Sequence, residues 1–119
     1  MKYFEFYSTP GHGYLKVPLQ TLRELQISQL LSKGSFIDAY DNVYCEEDCD
    51  MALVCTRMKL DGIEFEINNI YIEENDDGLT MVDYFDTYQG DYEIGNVEQR
   101  SDGLEAFIYQ DDYDLDEEV

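Results

Sequence analysis

From Asp61 to Val119 the chain holds 20 acidic residues and a single basic one, Arg100, whereas residues 1–44 balance four acids against four bases. Any fold must therefore be held by apolar contacts strong enough to contain a half that repels itself. Over all 119 residues, 28 Asp and Glu stand against 7 Lys and Arg, and the formal net charge of −21 lies entirely beyond residue 44. That excess is larger than the ~2 to 8 charges that keep a small domain soluble. It also argues against a surface that binds nucleic acid through basic charge of its own. The apolar material is sufficient: 44% of residues are hydrophobic, and 11 Tyr and 6 Phe are spread along the chain. Such a composition folds rather than staying disordered. The expectation is a single α+β domain over residues 1–110 with an acidic tail over residues 111–119.

The longest apolar run, Met51-Ala52-Leu53-Val54-Cys55, is far shorter than the ~20 residues of a membrane helix. The N-terminus carries Glu5 where a secretory signal needs an apolar stretch, so the cytoplasm of the host cell is the expected compartment. Three cysteines, an odd number, fit a reduced compartment better than a disulfide framework.

The pattern of residues predicts a strand over Lys2–Tyr7, turn chemistry from Ser8 to Gly13, and a second strand over Tyr14–Val17. Pro18 suits the first position of a short helix whose Leu19, Leu22, Leu25 and Ile27 have helical spacing. Ser35–Tyr40 and Val43–Cys45 read as a hairpin around Asp41-Asn42. The clearest helix runs from Glu46 to Gly62, with acids at its start, Arg57 and Lys59 near its end, and Gly62 as its stop. Ile63, Phe65 and Ile67 alternate with glutamates, and the parity then switches to Ile70 and Ile72, which predicts a turn or bulge at Asn68-Asn69. Asn75–Gly78 reads as a turn, Leu79–Tyr88 as strand or short helix, and Tyr92–Val97 and Leu104–Gln110 as strands. The sum is one mostly antiparallel sheet packed with two short helices.

Chemistry of the enzymatic kind finds little support. His12, between two glycines, is the only histidine, and nothing places Cys45, Cys49 or Cys55 beside it as a nucleophile. The cysteine spacing completes no zinc pattern. Asp112-x-Asp114-x-Asp116 imitates the opening of a calcium loop but has Glu117 where the glycine belongs. Gly11-His12-Gly13 lacks the third glycine of a dinucleotide fingerprint. No enzyme, no metal and no cofactor are expected.

Tyrosine and acid interleave instead, in Asp83-Tyr84-Phe85-Asp86-Thr87-Tyr88, in Asp91-Tyr92-Glu93 and in Tyr109-Gln110-Asp111-Asp112-Tyr113. Rings that face outward would place flat aromatic surface between anionic oxygens, as a nucleic acid does. Ordinary strand alternation would instead turn the rings to the core and only the acids to water, and acids on loops and strand edges also discourage aggregation. A domain of this size is about 35 Å across, and duplex DNA of that length carries about 20 phosphates, which matches the excess charge.

Two elements of the first half, Thr9-Pro10-Gly11-His12-Gly13-Tyr14-Leu15 and Tyr44-Cys45-Glu46-Glu47-Asp48-Cys49-Asp50, give residues 9–63 a resemblance to a known family. It is a small uncharacterised domain family of phage and plasmid proteins, with a Thr-Pro-Gly-His-Gly-aromatic-Leu element and a later Tyr-Leu-Glu-Glu-Asp-Cys-Asp element. Cys45 stands where that family has leucine, and the linking segment lacks its serine- and tyrosine-rich stretch. The resemblance carries no catalytic role and implies a mobile-element protein. Together with the charge it leads to an expected function: an anti-CRISPR or anti-restriction inhibitor, a DNA mimic that blocks the basic groove of a host nuclease or CRISPR effector. The acids expected to meet that partner are Glu73, Glu74, Asp76 and Asp77, then Asp83, Asp86, Asp91 and Glu93, then the tail acids Asp111, Asp112, Asp114, Asp116, Glu117 and Glu118. The alternative is an adaptor that binds a protein partner through Gly11-His12-Gly13 and the first helix.

Overall fold

A computed structural model describes residues 1–91 and 98–108. Strand β1 (Lys2–Ser8) and strand β2 (Gly13–Pro18) form a hairpin, followed by helix α1 (Leu19–Glu24), β3 (Phe36–Ile37) and β4 (Asn42–Glu46). Helix α2 (Asp50–Leu60) then leads to β5 (Phe65–Tyr71), a 3-10 turn at Met81–Tyr84 and β6 (Asp86–Thr87). The sheet order is β5-β1-β2-β4-β3-β6. Every pairing is antiparallel except β1 with β5, so the sheet is mixed although mostly antiparallel. The parallel pair arises because the chain leaves β4, passes β2 and β1 through α2, and returns as the outer strand, the kind of connection that parallel neighbours require.

One face of the sheet carries the main core. Phe4, Leu15, Val17, Val43 and Cys45 pack there against Leu22, Leu25 and Ile27 and against Leu53, Val54 and Met58 of α2. Both helices end in the same device. In α1 the N–H of Ile27 donates to Leu22 and that of Gln26 to Arg23; in α2 Ile63 donates to Met58 and Gly62 to Lys59. The residue at the turn has positive φ, 71° at Gly62 as the sequence predicts, and 59° at Gln26, where no glycine marks the stop.

Helix α2 begins at Asp50, not at Glu46. Glu46 belongs to β4, opposite Tyr14, and its N–H donates to Ser35 Oγ at 3.0 Å. Asp50 turns inward, where its carboxylate accepts from the Ser32 N–H at 2.8 Å, the Ser32 hydroxyl at 3.0 Å and the Ser35 hydroxyl. The expected hairpin strand Ser35–Tyr40 shrinks to Phe36–Ile37. Asp38 ends it by accepting from the Tyr40 and Asn42 N–H groups at 2.8 and 3.0 Å.

Asn68-Asn69 is neither turn nor bulge: β5 pairs residue for residue with β1, from Lys2 opposite Phe65 to Ser8 opposite Tyr71. The parity switch has a different cause. Phe65 and Ile67 pack on the main core, while Ile72, beyond the strand, joins a second cluster with Tyr7, Tyr14, Phe36, Tyr44, Val82 and Phe85. Of the expected strand Leu104–Gln110, residues 105–108 are turns, Leu104 and Ile108 enter the core four residues apart, and Tyr109 and Gln110 lie outside the described residues. The expected strand at Tyr92–Val97, with Glu93, and the tail from Asp111 lie outside the described residues.

Candidate functional site

The second apolar cluster explains how the acidic half is displayed. Ile72, Val82 and Phe85 project onto the sheet face opposite the main core, where Phe85 and Tyr44 approach to a ring separation of 4.9 Å and Tyr14 and Phe36 to 5.8 Å. Around these anchors the acids face water: Glu73, Glu74, Asp76, Asp77, Asp83 and Asp86 are all exposed, and Leu79 and Met81 are exposed among them. Local hydrogen bonds hold the segment in shape. Asn75 Oδ1 accepts from the N–H groups of Asp77 and Leu79 at 3.0 and 2.9 Å, and its Nδ2 donates to the Tyr84 hydroxyl at 2.8 Å. Asp83 caps the 3-10 turn, accepting from the Thr80 N–H at 2.8 Å.

The interleaved rings divide between the two expected directions. Tyr84 is 65% exposed, Phe85 is half-buried in the second cluster, and Tyr88 is buried. Tyr84 and the 86% exposed Tyr40 flank an open groove of about 340 Å³ lined also by Ile37, Asp38, Phe85 and Asp86. A flat ring on either side and carboxylates at the margin are what a basic surface with exposed arginines can grip.

A smaller recess, about 170 Å³, lies where the Thr9–Gly13 turn meets the acidic segment, and is lined by Thr9, Gly11, His12, Tyr14, Glu74, Gly78, Thr80 and Asp83. The turn is closed by Thr9, whose Oγ1 accepts from the N–H groups of His12 and Gly11 at 2.8 and 3.3 Å. Thus two features that are far apart in sequence, the turn around His12 and the acids Glu74 and Asp83, share one surface. Burial and then the charges of Asp83 and Glu46 push the Tyr14 phenol up, which keeps it a neutral hydroxyl at physiological pH. Among the described residues, neither this recess nor the Tyr40–Tyr84 groove is lined by a lysine or arginine.

Asp91 corrects the expected set. It is 2% exposed, and Arg23 donates to both of its oxygens, at 2.7 and 2.9 Å, so it serves as an internal anchor and offers no carboxylate to a partner. Two further arginines have related duties that the sequence analysis does not assign. The buried Arg57 donates to the carbonyls of Arg100 and Asp102, each at 2.8 Å, and Arg100 grips Asp61 with two bonds of 3.0 and 2.7 Å. The arginines therefore tie the acidic half to the helices. A signal for Arg57 is present in the spacing, since Asp50, Leu53, Val54, Arg57 and Met58 form the buried stripe of α2.

The cysteines do not gather into a reactive centre. Burial pushes the Cys45 thiol well above its ordinary value and also raises that of Cys55, which opposes thiolate formation, and the Cys49 thiol donates to the Phe107 carbonyl at 3.1 Å. Among the described residues no group of three or more His, Cys, Asp or Glu is arranged to hold a metal ion, and no helix is long and apolar enough to cross a membrane. Comparison of the chain with protein-family models, curated proteins and solved structures finds no match.

Proposed function

We propose that the protein is a non-enzymatic inhibitor encoded by a mobile element, and that it acts by laying an acidic face on the basic nucleic-acid groove of a host defence nuclease, a CRISPR effector in particular. The observation that carries this reading is the 72–87 segment, pinned by Ile72, Val82 and Phe85, with Glu73, Glu74, Asp76, Asp77, Asp83 and Asp86 turned to water. Carboxylates held on a fixed frame lose less freedom on docking than carboxylates free to move. Exposed Tyr40 and Tyr84 add the flat surfaces that stacking guanidinium groups favour. The tail acids Asp111, Asp112, Asp114, Asp116, Glu117 and Glu118, with Glu93, are proposed to meet the same partner and add to the negative charge of the chain. The defence nuclease as target rests on the mobile-element resemblance of residues 9–63.

An adaptor that binds through the turn around His12 is the second reading, and it is favoured by the recess at that turn. The two readings separate experimentally. Replacement of Glu73, Glu74, Asp76 and Asp77 by lysine weakens binding and flattens its salt dependence under mimicry, and leaves an adaptor interaction centred on His12 in place.

A further inference from the structure

The recess beside the Thr9–Gly13 turn contains a group that the fold leaves unused. Tyr14 is 5% exposed and lines the recess, yet its hydroxyl has no hydrogen-bond partner among the described residues. Its oxygen is not among the buried atoms shut off from water, so the hydroxyl opens outward, where water or a ligand group completes its bonding. We propose that this recess receives the guanidinium group of an arginine on the surface of a protein partner.

Size, charge and shape agree on that occupant. A volume of about 170 Å³ is too small for the ~300 to 1,000 Å³ of an ordinary small-molecule site and suits one inserted side chain. Glu74 and Asp83 supply negative charge. Asp83 uses Oδ2 to hold the Thr80 N–H and hydroxyl, which leaves Oδ1 for a new donor. A guanidinium presents five N–H groups in a planar fork, enough to reach carboxylate and phenol oxygens together, and its flat face packs on the exposed ring of His12. A lysine ammonium is compact and strongly hydrated, and lacks the plane. The inference rests on the proposed function in taking the partner's surface to be basic.

The test uses the full chain and small probes. Its backbone amides are followed by NMR during titration with N-acetyl-arginine amide, N-acetyl-lysine amide and the uncharged citrulline analogue. The expected result is saturable shifts confined to Gly11, His12, Gly78 and Thr80, with millimolar affinity for arginine, weaker binding of lysine and none of citrulline. Tyr14→Phe and Glu74→Gln each weaken arginine binding about tenfold, the loss of one hydrogen bond to a charged group. Tyr14→Phe does not lower the urea midpoint, whereas a hydroxyl with a structural duty would. Equal response to lysine, shifts spread evenly over the acidic residues, or undiminished arginine binding in Tyr14→Phe would overturn the assignment. Arginine binding without any DNA-sensitive partner would retain the recess and remove mimicry; a DNA-sensitive partner with no arginine response would do the reverse.

Discussion

Arg23 and Asp91 show how a single charge is assigned its task. Asp91 sits in a chain of acids that reads as surface, yet it is buried against a guanidinium that meets both of its oxygens. Removing one partner of such a pair leaves an uncompensated buried charge. Arg23→Ala is therefore expected to cost about 3 kcal/mol, seen as a lower urea midpoint at constant slope, and Asp91→Asn in the same chain should recover part of it. Gly11 and Gly13 separate in the same manner. A Cβ at Gly13 would lie 2.2 Å from Phe6 Cζ and 3.1 Å from Glu47 Oε1, while one at Gly11 meets nothing within 4 Å. Gly13→Ala should cost about 1 to 2 kcal/mol through displacement of Phe6, and Gly11→Ala should lie within about 0.5 kcal/mol of the parent. Equal effects in urea titrations would contradict this division of the turn.

The elements were legible where one physical rule governed them and obscure where two competed. Aromatic and apolar runs bounded by turn residues located β1, β2 and β4, and the glycine at the end of α2 marked its stop. The start of α2 was hidden because acids before a helix look like dipole partners, whereas here Glu46 remains in the sheet and Asp50 is drawn inward by Ser32 and Ser35. The switch at Asn68-Asn69 was misleading for a related reason: a strand that buries its first half on one face and hands the chain to a cluster on the other produces the same parity change as a bulge. Of the candidate site, the acids from Glu73 to Asp86 were visible as a charged run, and the display of that run was not. It depends on Val82 and Phe85 reaching Tyr14 and Tyr44 across more than thirty residues of intervening chain, a contact that no local pattern records.

Across the whole molecule the carboxyls divide by environment, and their balance sets the response to pH. Burial raises Asp50 and Glu46 above their ordinary values, so their contribution to stability is complete below the unfolded value, about 4, and is lost as pH rises through the raised one. Asp61 is lowered, first by its hydrogen bonds from Arg100, and Asp38 is lowered because bonds from Asn42, Tyr40 and Tyr44 together outweigh its burial. The contribution of this second pair is present above about pH 4 and is lost as pH falls through the lowered values. Mild acidification also relieves repulsion among 28 acids. The urea midpoint should therefore rise from pH 7.5 towards about pH 5 and fall below about pH 4; a steady decline from pH 7.5 downward would show that repulsion and buried carboxyls do not limit stability. That an acidic face survives this repulsion is the reason to assign it a partner, and capture of that partner is the most direct test. The chain is immobilised, exposed to bacterial lysate at low salt, and eluted with duplex DNA before the released proteins are identified by mass spectrometry. Release of a nuclease or CRISPR effector by DNA and by salt, with loss of capture when Glu73, Glu74, Asp76 and Asp77 are replaced by lysine, is the predicted result. Retention of a partner that neither DNA, salt nor those replacements disturb would contradict nucleic-acid mimicry.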